Sequence, residues 1–204
     1  MELVPTQDEV VRLLRKTGAL RDGFFQYPNG LYSNQYLQVA LAMRYYEVNK
    51  ILSVGLSRLV RAHQEIRAII PQLSIVAPAT GGLPVAYGVC EALRAAQVYW
   101  AERENEDEPL HFRQYMEVKA GEKVLLVDDI LRSGRRLSEL RKLVESYGAD
   151  VIGLAVIVYQ PNPKTAGFGA LPLFYLAKLS SKFCTEGEVC DIAPPGAEPV
   201  KVWA

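Results

Sequence analysis

Residues 124–136, VLLVDDILRSGRR, bring together an apolar run, two adjacent carboxylates and a short basic turn. Val124, Leu125, Leu126 and Val127 have the continuous apolar character of a central parallel strand covered on both faces. Asp128 and Asp129 follow where that strand should end. At the carboxyl edge of a parallel sheet, such a pair can accept hydrogen bonds from sugar hydroxyls. Ser133 and Gly134 then offer backbone N–H groups at a helix start, where a phosphate is favoured. The combination suits a phosphorylated sugar. Its structural alternative is an Asp-rich turn leading into a solvated first helical turn.

Two further stretches carry chemistry. Thr80, Gly81 and Gly82 close a loop directly after a short apolar strand, and glycines there let the main chain approach an anion closely. The span 102–113 is polar. It holds Arg103 and Arg113 as its basic residues, Glu104, Glu106, Asp107 and Glu108 between them, and His111, a side chain able to exchange a proton near neutrality.

The elements that must position these residues follow from periodicity. A first helix is predicted over 8–17, ended by Gly18 in the C-cap manner, and a hairpin over 24–38 around Pro28, Asn29 and Gly30. One or two helices cover 46–70. Thereafter strand and helix alternate, with strands at 74–76, 97–100, 124–127 and 151–158 and helices at 83–95 and 137–147. That order predicts an α/β fold with a parallel sheet and right-handed crossovers.

Composition sets limits. The chain has 204 residues, half of them hydrophobic, enough for one cored domain and a small appendage. With 23 basic and 23 acidic side chains it has no overall field to attract nucleic acid or an anionic membrane, so any positive site must be local. No apolar run reaches the ~18 residues of a membrane span, and the first residues are charged and amphipathic; the expected location is the cytoplasm. Cys90 falls in an apolar helix. The spacing of Cys184 and Cys190 fits neither a zinc ribbon nor a redox pair, and in a cytoplasmic protein reduced thiols are expected.

The 124–136 segment resembles the PRPP-binding motif of the type I phosphoribosyltransferases. Residues 23–38 (GFFQYPNGLYSNQYLQ), 77–89 (APATGGLPVAYGV), 101–105 (AEREN) and 111–124 (HFRQYMEVKAGEKV) resemble, in order, the hood, the pyrophosphate loop and the two arms of the mobile loop of the orotate branch. The resemblance implies a central parallel sheet flanked by helices with a small N-terminal hood. It implies a division into a helix and hood over 1–45, a core over 46–180 and a C-terminal segment near the hood over 181–204. It also implies PRPP and a nucleobase as substrates, Mg2+ as cofactor and a homodimer whose loop works across the two-fold interface. The C-terminal region is one where the orotate branch often carries paired cysteines.

Carried over by residue, Asp128 and Asp129 would hold the ribose hydroxyls. Arg132, Ser133 and Gly134, with Arg135 and Arg136, would meet the 5'-phosphate, Thr80, Gly81 and Gly82 the pyrophosphate, Arg103 the leaving group, and Tyr36 and Gln160 the base. The sequence leaves the metal ligands unassigned. It also departs from the family in three places. The loop tip is acidic and lacks lysine. Arg135 and Arg136 stand where a small turn usually has glycine and a hydroxyl residue. Tyr159 and Gln160 replace an Asp-Arg pair whose arginine meets the carboxylate of orotate, so orotate is expected to be a weak substrate. Three readings remain open: an orotate-type transferase, a transferase for a neutral purine or pyrimidine, and a non-catalytic PRPP or nucleotide sensor.

Overall fold

The computed structural model describes residues 4–28, 30–105, 107–162, 165–185, 192 and 196–202. Its centre is a parallel sheet of five strands: β3 (Ser74–Pro78), β4 (Gln97–Ala101), β5 (Lys123–Leu131), β6 (Asp150–Tyr159) and β7 (Leu173–Lys178), in the order β4-β3-β5-β6-β7. The pleat divides β5 between two apolar layers. Leu125 and Val127 face the cluster built with Leu52, Leu56 and Val85, from α3 (Tyr46–Ala62) and α5 (Gly82–Leu93). Val124 and Leu126 face Leu137, Leu140 and Val144 of α6 (Arg135–Ser146). All four strand residues are fully buried. At about 1.5–3 kcal/mol for each buried side chain of this size, they fix which faces the sheet presents.

The sheet splays at its carboxyl edge. Pairing of β3 with β5 stops at Val76↔Leu126, whereas β5 stays beside β6 to Leu131↔Tyr159. A crevice therefore opens where the β3 and β5 chains part, the usual place for a ligand in an open α/β sheet.

A second sheet lies on the N-terminal side. After α1 (Gln7–Lys16), β1 (Leu20–Gln26) and β2 (Tyr32–Leu37) form an antiparallel hairpin, joined at its edges by β8 (Phe183–Cys184) and β9 (Val200–Lys201) in the order β8-β2-β1-β9. The start of α1 is fixed by a capping box: Thr6 Oγ1 accepts from the Glu9 N–H at 3.3 Å and Glu9 Oε2 from the Thr6 N–H at 2.8 Å. Short α2 (Ala40–Met43), α3 and α4 (Gln64–Ile69) lead back into the core.

Several expectations are corrected. β5 does not end at Val127 but runs through both aspartates, because β6 pairs with Asp128, Ile130 and Leu131. α6 starts at Arg135, ahead of the expected 137. The 46–70 span is two helices broken at His63, whose backbone is extended. β7, β8 and β9 were not expected at all. Cys184 is disulfide-bonded, against the expectation of a reduced thiol, while Cys190 lies outside the described residues. No helix among the described residues is long and apolar enough to cross a membrane.

Candidate functional site

A cleft of about 520 Å³ opens between the hood and the carboxyl edge of the core sheet. Tyr27 and Tyr36 line it from the hood, Asp128, Asp129 and residues 130–137 from β5 and the turn after it, and Arg103 from the loop. Of the residues expected in the site, Tyr36, Arg103, Asp128, Asp129, Arg132, Ser133, Gly134, Arg135 and Arg136 thus meet in one place.

Asp128 is 4% exposed, and its Oδ1 accepts the N–H of Asp129 at 2.9 Å. Burial, reinforced by the charge of Asp129, pushes the Asp128 carboxyl well above the usual range. Asp129 is raised as well, by burial, although hydrogen bonds from Asp128 and the Ile130 N–H and the charges of Arg136 and Arg132 oppose the rise. Gly81 and Gly82, in the loop after β3, stand directly against these carboxylates. A Cβ on Gly81 would lie 3.0 Å from Asp129 Oδ2, and one on Gly82 would lie 3.2 Å from Asp128 Oδ1. Only glycines let this loop and the start of α5 stand so close to the carboxylates.

The turn after β5 is shaped by Gly134, which has φ +77° at the N-cap of α6. A Cβ there would also meet Ala166 Cβ at 3.1 Å and the Phe168 ring at 3.3 Å. The Ser133 carbonyl accepts the N–H of Ala166 at 2.8 Å, and Ser133 Oγ accepts the N–H of Arg135 at 3.3 Å. Arg135 and Arg136 are exposed at the lip, and Arg136 is near enough to both aspartates to favour their charged forms.

The loop is folded down onto α6. The backbones of Glu102 and His111 pair through two hydrogen bonds of 2.9 Å, and Arg113 pairs with Glu102. Arg103 Nη2 donates to Glu139 Oε2 at 2.6 Å, and the Leu110 N–H donates to Glu139 Oε1 at 2.6 Å. Burial would raise the Glu139 pKa, yet the Leu110 amide and the Arg103 guanidinium bring it below the ordinary value. The His111 side chain is exposed, and Glu106 lies outside the described residues. Glu139 carries no signal in the sequence beyond being a helical acid.

On the hood side, Tyr36 lines the cleft and packs its ring 5.7 Å from that of Phe25, which is buried. Tyr32 stacks on Phe24, so Phe25 and Tyr32 serve hood packing. Gln160, expected at the base, has both ends of its amide bonded within the protein. It is fully buried, its Oε1 accepts from Arg132 Nε at 2.9 Å, and its Nε2 donates to Ser181 Oγ. The bonds continue from Ser181 Oγ to Gln35 Oε1 at 2.8 Å and from Gln35 Nε2 to Asp22 Oδ1 at 2.9 Å. Arg132 stacks on Tyr27, with Cζ 4.9 Å from the ring centroid. The sequence reading missed Tyr27, Ser181 and Gln35 as partners of this network. The aromatic, polar alternation of the hairpin hints at Tyr27 and Gln35, and nothing in the sequence marks Ser181.

Residues 59–166 match the family described as the phosphoribosyl transferase domain. The chain is 34% identical over 158 residues to an orotate phosphoribosyltransferase of Pelotomaculum thermopropionicum, covering 77% of each chain. It is 31% identical over 193 residues to that of Carboxydothermus hydrogenoformans, covering 95% of each. The crystal structure of the orotate phosphoribosyltransferase from Aeropyrum pernix superposes with a TM-score of 0.66 at 21% identity, over 83% of this chain and 93% of that one, a likeness of fold.

Proposed function

The chain belongs to the phosphoribosyltransferase family, in its orotate branch, and from that premise we propose that it transfers the phosphoribosyl group of PRPP to a pyrimidine base and releases pyrophosphate. The observation that carries this reading is the convergence of two buried carboxylates, the glycine loop against them and the arginine-flanked turn at one sheet edge. A ring nitrogen of the base, its N–H proton released to solvent, attacks the anomeric carbon as the carbon–oxygen bond to pyrophosphate breaks, with inversion at that carbon. Asp128 and Asp129 accept hydrogen bonds from the ribose hydroxyls. The backbone around Ser133 and Gly134 cradles the 5'-phosphate, with Arg135 and Arg136 adding positive charge. The main chain at Thr80, Gly81 and Gly82 receives the pyrophosphate, and Tyr36 stacks on the base. Positioning and electrostatics do most of the work.

Mg2+ fits this site. The two aspartates are raised by burial and, for Asp128, by its neighbour's charge, and a dication beside them would favour their charged forms. One or two carboxylates suffice, because Mg2+ keeps several waters and completes its shell with substrate phosphates. Bound there, it would offset the negative charge gathering on the departing pyrophosphate. The protein would act as a cytoplasmic homodimer. Exposed Tyr45, Tyr46 and Ile51 around the start of α3, with Tyr87 on neighbouring α5, supply apolar surface for a second copy.

One observation favours the sensor as a second reading: Arg103, expected on the leaving group, is clamped by Glu139. The decisive experiment measures pyrophosphate release from PRPP and Mg2+ against orotate, uracil, adenine, guanine, hypoxanthine and xanthine. Release with a pyrimidine supports transfer. Retained PRPP binding without release from any base would leave the sensor.

A further inference from the structure

Among the described residues of the cleft, Arg132 has a buried donor left without a partner. Its Nε–H is used by Gln160 and its face by Tyr27, yet Nη2 is buried with no acceptor among the described residues. A guanidinium has five N–H donors and accepts nothing, and a buried charged donor without a partner is more costly than a neutral one. Such a group suits an anionic ligand, since no described residue gives Nη2 an acceptor.

Three anions accompany the proposed reaction: the 5'-phosphate of the sugar, the pyrophosphate, assigned above to the main chain of the glycine loop, and an acidic substituent on the base. The phosphate cradle is made of main chain at Ser133 and Gly134. The Arg132 side chain lies instead between Tyr27 of the hood and Gln160 at the end of β6, on the side where Tyr36 offers its ring. Its orientation there is set from behind. Ser181 Oγ donates to Gln35 Oε1 and so must accept from the Gln160 amide nitrogen, which turns Gln160 Oε1 toward Arg132. With Nε held, the terminal amino groups are the edge left for a planar, two-oxygen acceptor.

We propose that Arg132 is the specificity-determining residue for the base, taking a ring carboxylate of a pyrimidine on its terminal amino groups, with Gln160 as the positioning residue that fixes the guanidinium plane. The proposal rests on the phosphoribosyl-transfer reading. It revises the expectation that Gln160 leaves a base carboxylate uncompensated, since the amide stands behind a cation from the neighbouring turn.

The test is equilibrium binding by titration calorimetry on the full chain, with orotidine 5'-phosphate, uridine 5'-phosphate and ribose 5-phosphate. The two nucleotides differ only in the carboxylate. The wild-type protein should bind the carboxylated nucleotide at least about tenfold more tightly than the plain one, the scale of a charge-assisted bond. Arg132→Gln should bring that ratio to about one, with a larger loss for the carboxylated nucleotide than for uridine 5'-phosphate or ribose 5-phosphate. Arg132→Lys retains charge without the fork and should give an intermediate ratio, which serves if the glutamine variant does not fold. Gln160→Ala should lower the ratio and leave ribose 5-phosphate binding intact. Equal wild-type affinity for the two nucleotides, or an equal loss for all three phosphates in the Arg132 variants, would overturn the proposal. Because nothing here requires turnover, an inactive protein would sink the transfer reading without deciding this one.

Discussion

Gly81 and Asp129 stand in contact through a side chain that is absent: a Cβ on the glycine would come within 3.0 Å of Oδ2 and 3.2 Å of Cγ. The glycine loop and the carboxylate pair are therefore one unit although 48 residues of sequence separate them. A ligand that bridges the two needs no large rearrangement of either.

The carboxylates should make the ligand-free protein less stable at neutral pH than an uncharged site would. Folding raises the Asp128 pKa, so its contribution to stability is fully present below the unfolded value of about 3.9 and is lost as pH rises through the folded value. Asp128→Asn should then raise Tm by about 2–4 °C for each kcal/mol relieved in a domain of this size. The same substitution should abolish PRPP binding. In the wild type, PRPP affinity should start to fall on acidification above the ordinary aspartate range, because hydroxyl binding uses the ionised form. Scanning calorimetry of the variant and titrations from neutral pH downward check both, and a Tm that drops would show that Asp128 ionises without strain.

Glu139 holds the loop. Replacing it with alanine leaves the Arg103 guanidinium and the Leu110 amide each without that acceptor, at a local cost of about 1–3 kcal/mol. Hydrogen exchange at the Leu110 amide should accelerate while β5 and β6 stay protected. Unchanged exchange would mean that burial of Leu110 and Phe112 holds the loop by itself.

Gly134→Ala should damage the turn twice over. The left-handed φ of +77° costs a non-glycine residue about 1–2 kcal/mol, and the new methyl presses on Ala166 and Phe168. Ribose 5-phosphate affinity should fall more than Tm does, as measured by calorimetry and thermal melting. Intact affinity would remove the turn from the phosphate site.

Light scattering at micromolar concentration should return about twice the chain mass, and Tyr46→Glu with Tyr87→Glu should return one chain mass. Tyr46 is 72% exposed and Tyr87 55%, so the charges cost the single chain little. A wild-type monomer would remove any loop acting across an interface.

The parts legible in the sequence are those that burial writes into it. The run at 124–127, the glycine loop and the long amphipathic segments announce β5, α5, α3 and α6, because a strand or helix packed on an apolar layer must display its period. The extent of β5 was hidden. Asp128 and Asp129 are poor strand formers, and only their neighbour β6 keeps them extended. β8 and β9 are two residues each and exist through pairing with the hood, so no local pattern marks them. The partners of Gln160 were hidden for the same reason: an amide after a strand gives no sign that its two ends are taken by Arg132 and by Ser181.

The hood sheet interleaves distant parts of the chain, with β9 lying parallel to β1 and β8 antiparallel to β2. A chain emerging from the ribosome amino end first can close β3, β4, β5 and β6 into a core while this sheet still lacks both edges. The hood wall of the cleft, carried by Tyr27 and Tyr36, is thus made first and framed last.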